Sequence, residues 1–401
     1  MDSLNETQGI VLRLLGQSLF SLPFVPDPST DWDAVLAECR AQAVDALALR
    51  DYRSLPLDAE MAAFVKQLIR ERMLANMACF QNHSYLHRLM SEHGIPYCVI
   101  KGAASARYYP EPLLRSMGDV DFFVPPTSIA QAVEVLEKEG FVKQELEHRY
   151  HIALHKGRMH FELHFDAIAV PQSTLGAVFR EYWSDICEQS VQVKDDFAEY
   201  RMAQTFLHGF ILLSHLQAHL LAEGVGLRHV CDWVVFANAF SDAEFKETFE
   251  QKLKRAGLWR MAQALCLAAV EYMGMPYRAW MGEDRDTAQA LLEDILSGGN
   301  FGRKSRQRGY ESFFVSDNAM GGVKRNRVLQ AIRSVNCVVD SHWRAARKFP
   351  LLYPIGWVYF SIRFLIKRLQ GKRNVAIMEA YVTSRKRKAL YERLHLLNPE
   401  E

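Results

Sequence analysis

The 401-residue sequence predicts an α+β protein in which a small β-sheet is flanked by N-terminal and C-terminal helical segments. Three observations lead there. Residues 1–95 carry apolar side chains at helical spacing. Residues 96–166 switch to short apolar runs and a period of two, punctuated by Pro and Gly. From Arg201 onward the helical spacing returns. These changes divide the chain into an N-terminal helical region (1–95), a sheet-bearing core (96–200), a helical region packing on that core (201–300) and a basic, mostly helical C-terminal region (301–401). At 49% apolar and 24% charged, the composition is that of an ordinary globular protein with enough apolar surface for a core.

The elements follow in order. Residues 32–49 read as a helix with Asp31 as its N-cap. Residues 58–93 form a long helix, free of Pro and Gly, which Gly94 stops. Residues 96–100 are a short apolar run, read as a buried strand. Lys101-Gly102 and a small-residue helix start at 103–106 follow it. Pro110 and Pro112 break the chain, and 117–124 reads as a second strand closed by Pro125-Pro126. Thr127 is placed to cap a helix to about Glu139, ended by Gly140. A third strand, 159–169, alternates: Met159, Phe161, Leu163 and Phe165 point one way, His160, Glu162, His164 and Asp166 the other. Residues 203–223 and 227–240 are the strongest later helices, split by Gly224-Val225-Gly226. Residues 300–322 read as a polar loop or an inserted strand pair, and 323–401 as helical. Residues 349–366 are apolar and aromatic, but Pro350, Pro354, Gly356 and Arg363 interrupt them too often for a transmembrane span. They read as buried core, with an interfacial membrane anchor as the other reading.

The net charge of +1 hides an asymmetry: residues 343–401 carry 13 Lys and Arg against 4 Asp and Glu, a balance of +9. Such a tail suits an anionic partner such as nucleic acid, a phosphorylated substrate or a membrane surface. The plainer reading is a solvated helix face, above all for Arg385-Lys386-Arg387-Lys388. The seven cysteines are scattered with no C-x-x-C pair, which argues against a zinc ribbon and for reduced thiols. The first residues lack the pattern of a secretory signal, so a cytoplasmic location is expected.

Asp119-Val120-Asp121 carries the chemistry. Residues two apart on a strand share a face, and two neighbouring carboxylates repel unless a cation lies between them. They are a natural ligand set for Mg²⁺, and Glu162, on the polar face of the third strand, completes a three-carboxylate site of the kind that holds two such ions. D-x-D alone is a weak signal. Its context strengthens it: Lys101-Gly102 opens a helix N-terminus where backbone N–H groups can hold phosphate, and Arg115 can neutralise phosphate charge.

The string I-K-G-A-A at 100–104, Tyr109-Pro110, Arg115, G-D-V-D-F-F-V at 118–124 and F-E-L-H at 161–164 resembles the uncharacterised nucleotidyltransferases of the DNA polymerase beta superfamily. The likeness reaches over about 30–370 and is tightest over 96–166. The resemblance implies the small mixed sheet of the nucleotidyltransferase type, with Asp119, Asp121 and Glu162 as catalytic metal ligands for two Mg²⁺ ions. It also implies a nucleotide site of Lys101, Gly102, Ala103, Ser105, Arg115, His164 and Arg228. The implied reaction moves a nucleoside monophosphate from an NTP, with ATP the expected donor, to an acceptor hydroxyl that the motifs do not identify. One departure is that the usual G-S or G-G of the phosphate loop is Gly102-Ala103, so Lys101, Ser105 or backbone groups must substitute. Two rivals stand beside this reading: a toxin-type enzyme modifying RNA or protein, and a non-catalytic nucleotide-binding module. Other residues keep alternatives. His215 and His219, four apart on a helix, suit zinc, a cleft wall or a packed face. Arg228 and Asp232 suit an intrahelical pair, or Arg228 suits a triphosphate. His164 suits the metal or nucleotide, or a structural hydrogen bond.

Overall fold

Helix α1 (Glu6–Phe20) opens the structure with a capping box, Asn5 and Gln8 each accepting from the other's backbone N–H. The computed structural model describes residues 4–144, 151–166, 170, 175–305, 308, 336, 339, 343, 349–369 and 377–396. The helix expected over 32–49 is two helices, α2 (Trp32–Ala41), capped by Asp31, and α3 (Asp45–Ala48). Between them Ala43 takes a left-handed φ of 57°, which no helix tolerates. The long helix α4 (Ala59–Glu92) starts where Asp58 accepts from the Met61 N–H, and its 34 residues span about 51 Å at ~1.5 Å per residue. Gly94, with φ 62°, ends it.

The sheet has seven strands: β1 (Cys98–Val99), β2 (Val120–Phe123), β3 (Val142–Lys143), β4 (His151–Lys156), β5 (Met159–His164), β6 (Val191–Lys194) and β7 (Glu199–Met202), in the order β3-β4-β5-β2-β1-β7-β6. β2 pairs parallel with β5 and β1 parallel with β7, and the other pairs are antiparallel, so the sheet is mixed and the fold is α+β. Three strands were expected near 96–100, 117–124 and 159–169. They form, but shorter, and β3, β4, β6 and β7 add to them; β7 occupies the start of the region read as helical. Between the strands lie α5 (Ala103–Ala106), α6 (Ile129–Lys138) and α7 (Leu175–Trp183). No side chain caps α6; a 3-10 turn over Pro126–Ser128 leads into it instead of the Thr127 cap.

The C-terminal half contributes α8 (Thr205–Leu221), α9 (Leu227–Asn238), α10 (Asp242–Phe245), α11 (Gln251–Arg255), α12 (Trp259–Met273), α13 (Arg285–Gly298), α14 (Tyr353–Leu369) and α15 (Ile377–Arg393). Two cores result. One lies between the sheet, α4 and α6, with Phe122, Phe161 and Leu163 wholly buried. The other is helical and joins Val11, Trp233, Phe245 and Leu265 with Tyr391.

Two expectations for the tail are corrected. The apolar run 349–366 is not buried core: Phe349, Leu351, Ile355, Val358, Tyr359 and Ile362 are all exposed. The basic run is not wholly a solvated face. Arg385 and Lys386 are exposed, but Arg387 is buried, bonding the Leu220 carbonyl at 2.8 Å, the Tyr391 hydroxyl at 2.8 Å and Asp294 at 3.3 Å. A guanidinium at one helical position in three or four finds the core face even in a basic run. Of the stretch 300–322, Asn300–Gly302 is a 3-10 turn, and 309–322 lies outside the described residues. Among the described residues no helix is long and apolar enough to cross a membrane. Six cysteines are free and buried, and Cys337 lies outside the described residues.

Candidate active site

The register of the parallel pair β2/β5 builds one wall. Val120 lies opposite Phe161 and Phe122 opposite Leu163, and these apolar pairs sink into the sheet core. Asp121 therefore lies opposite Glu162 on the other face, with Asp119 one step before the strand on that same face. The three carboxylates border a cavity of about 300 Å³, whose other lining includes Lys101, Gly102, Arg115, His215, His219, Arg228, His229 and Phe301.

The electrostatics of the acids are unequal. Burial, then the charges of Glu162 and Asp121, push the Asp119 carboxyl above the usual carboxylate range. Burial also opposes charge on Asp121, but the Lys101 ammonium at 3.2 Å and the His164 Nε2 at 3.0 Å hold it well below that range. Three carboxylates facing one cavity are an oxygen donor set, which fits a hard dication such as Mg²⁺.

The facing wall comes from α8 and α9. Lys101 Nζ reaches His215 Nε2 at 3.1 Å, and His215 Nε2 lies 3.0 Å from His219 Nε2. Burial, then Lys101 for His215 and Arg228 for His229, keeps both imidazoles well below their ordinary protonation range, so they are neutral hydrogen-bonding groups. Phe301 packs against His219 at 4.9 Å and under Arg228 at 5.7 Å, with a left-handed φ of 54°. The i, i+4 pair is thus a cleft wall. Among the described residues the geometric metal cluster is elsewhere, at His151, Glu162 and His164.

Arg228 does not pair with Asp232. Asp232 accepts instead from Arg115, at 2.7 Å from Nε and 2.8 Å from Nη2, and from the Tyr109 hydroxyl at 2.7 Å. Burial would neutralise both partners, yet Arg115 holds Asp232 below its ordinary value and Asp232 holds Arg115 above its own. Arg115 still borders the cavity, but its donors Nε and Nη2 are committed to the helical core. The half-buried Arg228 borders the cavity with a lowered pKa, from burial and then from Arg115, and its Nη2 makes a long contact to His229 Nε2 at 3.4 Å.

The phosphate-loop expectation divides in two. Lys101 and Gly102 border the cavity. Ala103 and Ser105 are buried and do not, and the Ala103 N–H points away from it, donating to His83 Nε2 at 3.3 Å. His83 in turn donates from Nδ1 to the Cys79 carbonyl at 2.7 Å, and burial lowers its pKa to about 4. Gly102 has φ 62°, and a Cβ there would lie 2.6 Å from His83 Nε2, so the loop needs glycine on both counts. The sequence reading missed His83 and also Asn76, whose amide donates to the Leu113 and Arg115 carbonyls at 2.6 and 2.7 Å and holds the approach to Asp119. The signal was present: Asn76, Cys79 and His83 recur at helical spacing on the buried stripe of α4.

No curated protein matches the chain by sequence. The profile of the uncharacterised nucleotidyltransferases matches residues 28–274, ending short of the 370 expected, and includes every cavity residue named above except Phe301. Covering more than half of the sequence, that match makes the chain a member of the uncharacterised nucleotidyltransferase family.

Proposed function

We propose that the protein is a Mg²⁺-dependent nucleotidyltransferase that moves a nucleoside monophosphate from an NTP, with ATP the first donor to test, to an acceptor hydroxyl and releases pyrophosphate. The observation that carries this reading is the opposition of charge across one cavity: Asp119, Asp121 and Glu162 on one wall, Arg228 and neutral imidazoles on the other, Lys101 between. Asp119, Asp121 and Glu162 would hold Mg²⁺, which supplies charge stabilisation at the attacking and leaving oxygens when bound. Lys101 and Arg228 face the anionic phosphates, and His215 and His219 offer them hydrogen bonds. The acceptor oxygen bonds to the α-phosphorus as the bond to the bridging pyrophosphate oxygen breaks. Glu162 would receive the hydroxyl proton. The chain's own contribution is positioning and electrostatics, with no covalent intermediate.

The scattered, buried thiols fit a cytoplasmic setting. Exposed Arg385 and Lys386 suit an anionic acceptor such as RNA, while buried Arg387 does not take part.

The test is incubation of the full chain with each α-labelled NTP, Mg²⁺ and cell extract. Label should pass to one class of acceptor. Asp119→Asn, Asp121→Asn and Glu162→Gln should each lower transfer on the order of 10²–10³-fold. Equal labelling by the wild type and Asp121→Asn at saturating Mg²⁺ would sink the reading.

A further inference from the structure

We propose that His151, Glu162 and His164 form a mixed nitrogen–oxygen site for a first-row transition-metal dication, beside the all-carboxylate Asp119–Asp121 pair, with Glu162 shared between them. The proposal rests on the nucleotidyl-transfer reading only through that shared acid.

Strand register assembles the patch. Glu162 and His164 are two apart on β5 and share its polar face. On one side Asp121 of β2 lies opposite Glu162; on the other, His151 of β4 lies opposite His164, with ring centroids 5.1 Å apart. Three adjacent strands thus present two imidazoles and two carboxylates on one face.

The spacing is that of ligands around a single ion. With bonds of about 2.1 Å, neighbouring ligand atoms lie roughly 3.0 Å apart in an octahedron and roughly 3.4 Å in a tetrahedron, and trans atoms roughly 4.2 Å. The observed separations are 3.6 Å for His164 Nε2 to Glu162 Oε2 and 3.9 Å for His151 Nε2 to Glu162 Oε1. Ligand atoms of His151, Glu162 and His164 all lie within 4.8 Å of one another. A structural hydrogen bond joins His164 Nε2 to Asp121 Oδ1 at 3.0 Å. It does not account for the two oxygens of Glu162 being divided between two imidazoles.

The donor set also selects the ion. Mg²⁺ takes oxygen and keeps its water, whereas imidazole nitrogen favours the later first-row ions. His164 is 4% exposed, so an ion here loses water on that side and must accept nitrogen in its place.

The experiment is Mn²⁺ and Co²⁺ titration of the full chain without nucleotide, in excess Mg²⁺, read by pulsed EPR for nitrogen coupling and by the visible Co²⁺ spectrum. The expected result is one nitrogen-coupled ion per chain. His151→Gln and His164→Gln should each weaken its binding at least about tenfold, the loss already typical of a ligand's outer partner. Asp119→Asn, which leaves the imidazole set intact and keeps side-chain size, should retain the nitrogen signal. Circular dichroism confirms that each variant is folded, and if His164→Gln unfolds, the more exposed His151→Gln carries the test. Oxygen-only coupling, displacement by equimolar Mg²⁺, or unchanged affinity in the folded histidine variants overturns the proposal. NTP transfer by the wild type with Mg²⁺ alone, together with no nitrogen coupling, rejects this site and leaves the transfer reading standing. Nitrogen-coupled metal without transfer to any acceptor does the reverse.

Discussion

Removing one partner of the Arg115–Asp232 pair should destabilise the protein more than removing both. The side chains are 5% and 7% exposed, and Asp232 accepts two guanidinium hydrogen bonds and one from Tyr109. Arg115→Met leaves a carboxylate in the core with a single hydroxyl donor, and breaking such a pair costs about 3–5 kcal/mol. At ~2–4 °C per kcal/mol for a unit of a few hundred residues, the melting temperature falls by about 6–20 °C. Arg115→Met with Asp232→Leu removes both charges. Its remaining penalty is chiefly the buried Tyr109 hydroxyl left without its partner, about 1–3 kcal/mol. Urea or thermal melts of both singles and the double provide the cycle, and the KM for NTP is read on the double. A double mutant as unstable as the sum of the singles would refute the coupling. A stable double whose KM for NTP rises tenfold would show that Arg115 grips phosphate, not α9.

Three further outcomes follow from the geometry. Arg387→Gln should cost about 3 kcal/mol by leaving Asp294 and the Leu220 carbonyl short of a buried donor, while Arg385→Gln and Lys386→Gln stay within about 0.5 kcal/mol; parallel melts decide it. Gly102→Ala should cost on the order of 1–3 kcal/mol through its left-handed backbone alone and should also raise the KM for NTP, since its Cβ would press on His83; an unchanged melt and KM would contradict the loop geometry. Burial lowers His83 to about 4 and His208 to about 3 from an ordinary 6.5, so below pH 6.5 the unfolded chain binds protons that the folded chain refuses. Stability is therefore full above pH 6.5 and falls toward pH 4, at about 1.4 kcal/mol per pH unit per histidine, or about 4 kcal/mol for the two at pH 5; a melting temperature flat from pH 7 to pH 5 would be the wrong result.

What the sequence revealed and what it hid have a common physical cause. Local rules placed Asp31 as a cap and Gly94 as a stop, because capping depends on the next turn alone. Alternation placed Asp121 and Glu162 on one face, because strand period is local as well. The short edge strands β3 and β6 escaped, because two and four residues are too few to show a period. Partner choice across the fold escaped too. Asp232 had a guanidinium one turn away at Arg228 and took Arg115 instead, a decision made by the approach of α9 to the loop before β2. Ala103 read as phosphate loop because nothing nearby in sequence announces that a histidine of α4 takes its N–H. The exposed face of α14 escaped for the opposite reason: apolar composition predicts burial only when another surface comes to meet it.

The two walls of the cavity belong to different cores, and this makes the site sensitive to their docking. Asp119, Asp121 and Glu162 ride on strands packed against α4 and α6. His215, His219 and Arg228 ride on α8 and α9, whose apolar faces lie in the helical core. Direct polar ties across this junction include Lys101 to His215, and Arg115 and Tyr109 to Asp232. Arg115 sits just before Asp119, so its pull on Asp232 sets the distance from the carboxylates to the cationic wall. A triphosphate held between the walls needs that distance to about 1 Å, since a misplacement of that size costs about 10²-fold in rate. Asp232→Asn, which keeps the side-chain size but gives up the charge and one of the two acceptor oxygens that Arg115 and Tyr109 share, should therefore lower kcat more than it raises KM. The same substitution should leave metal binding at the sheet unchanged, because the three acids proposed to hold metal lie on the other side of the junction. Loss of metal binding in Asp232→Asn would mean that the sheet wall does not stand by itself.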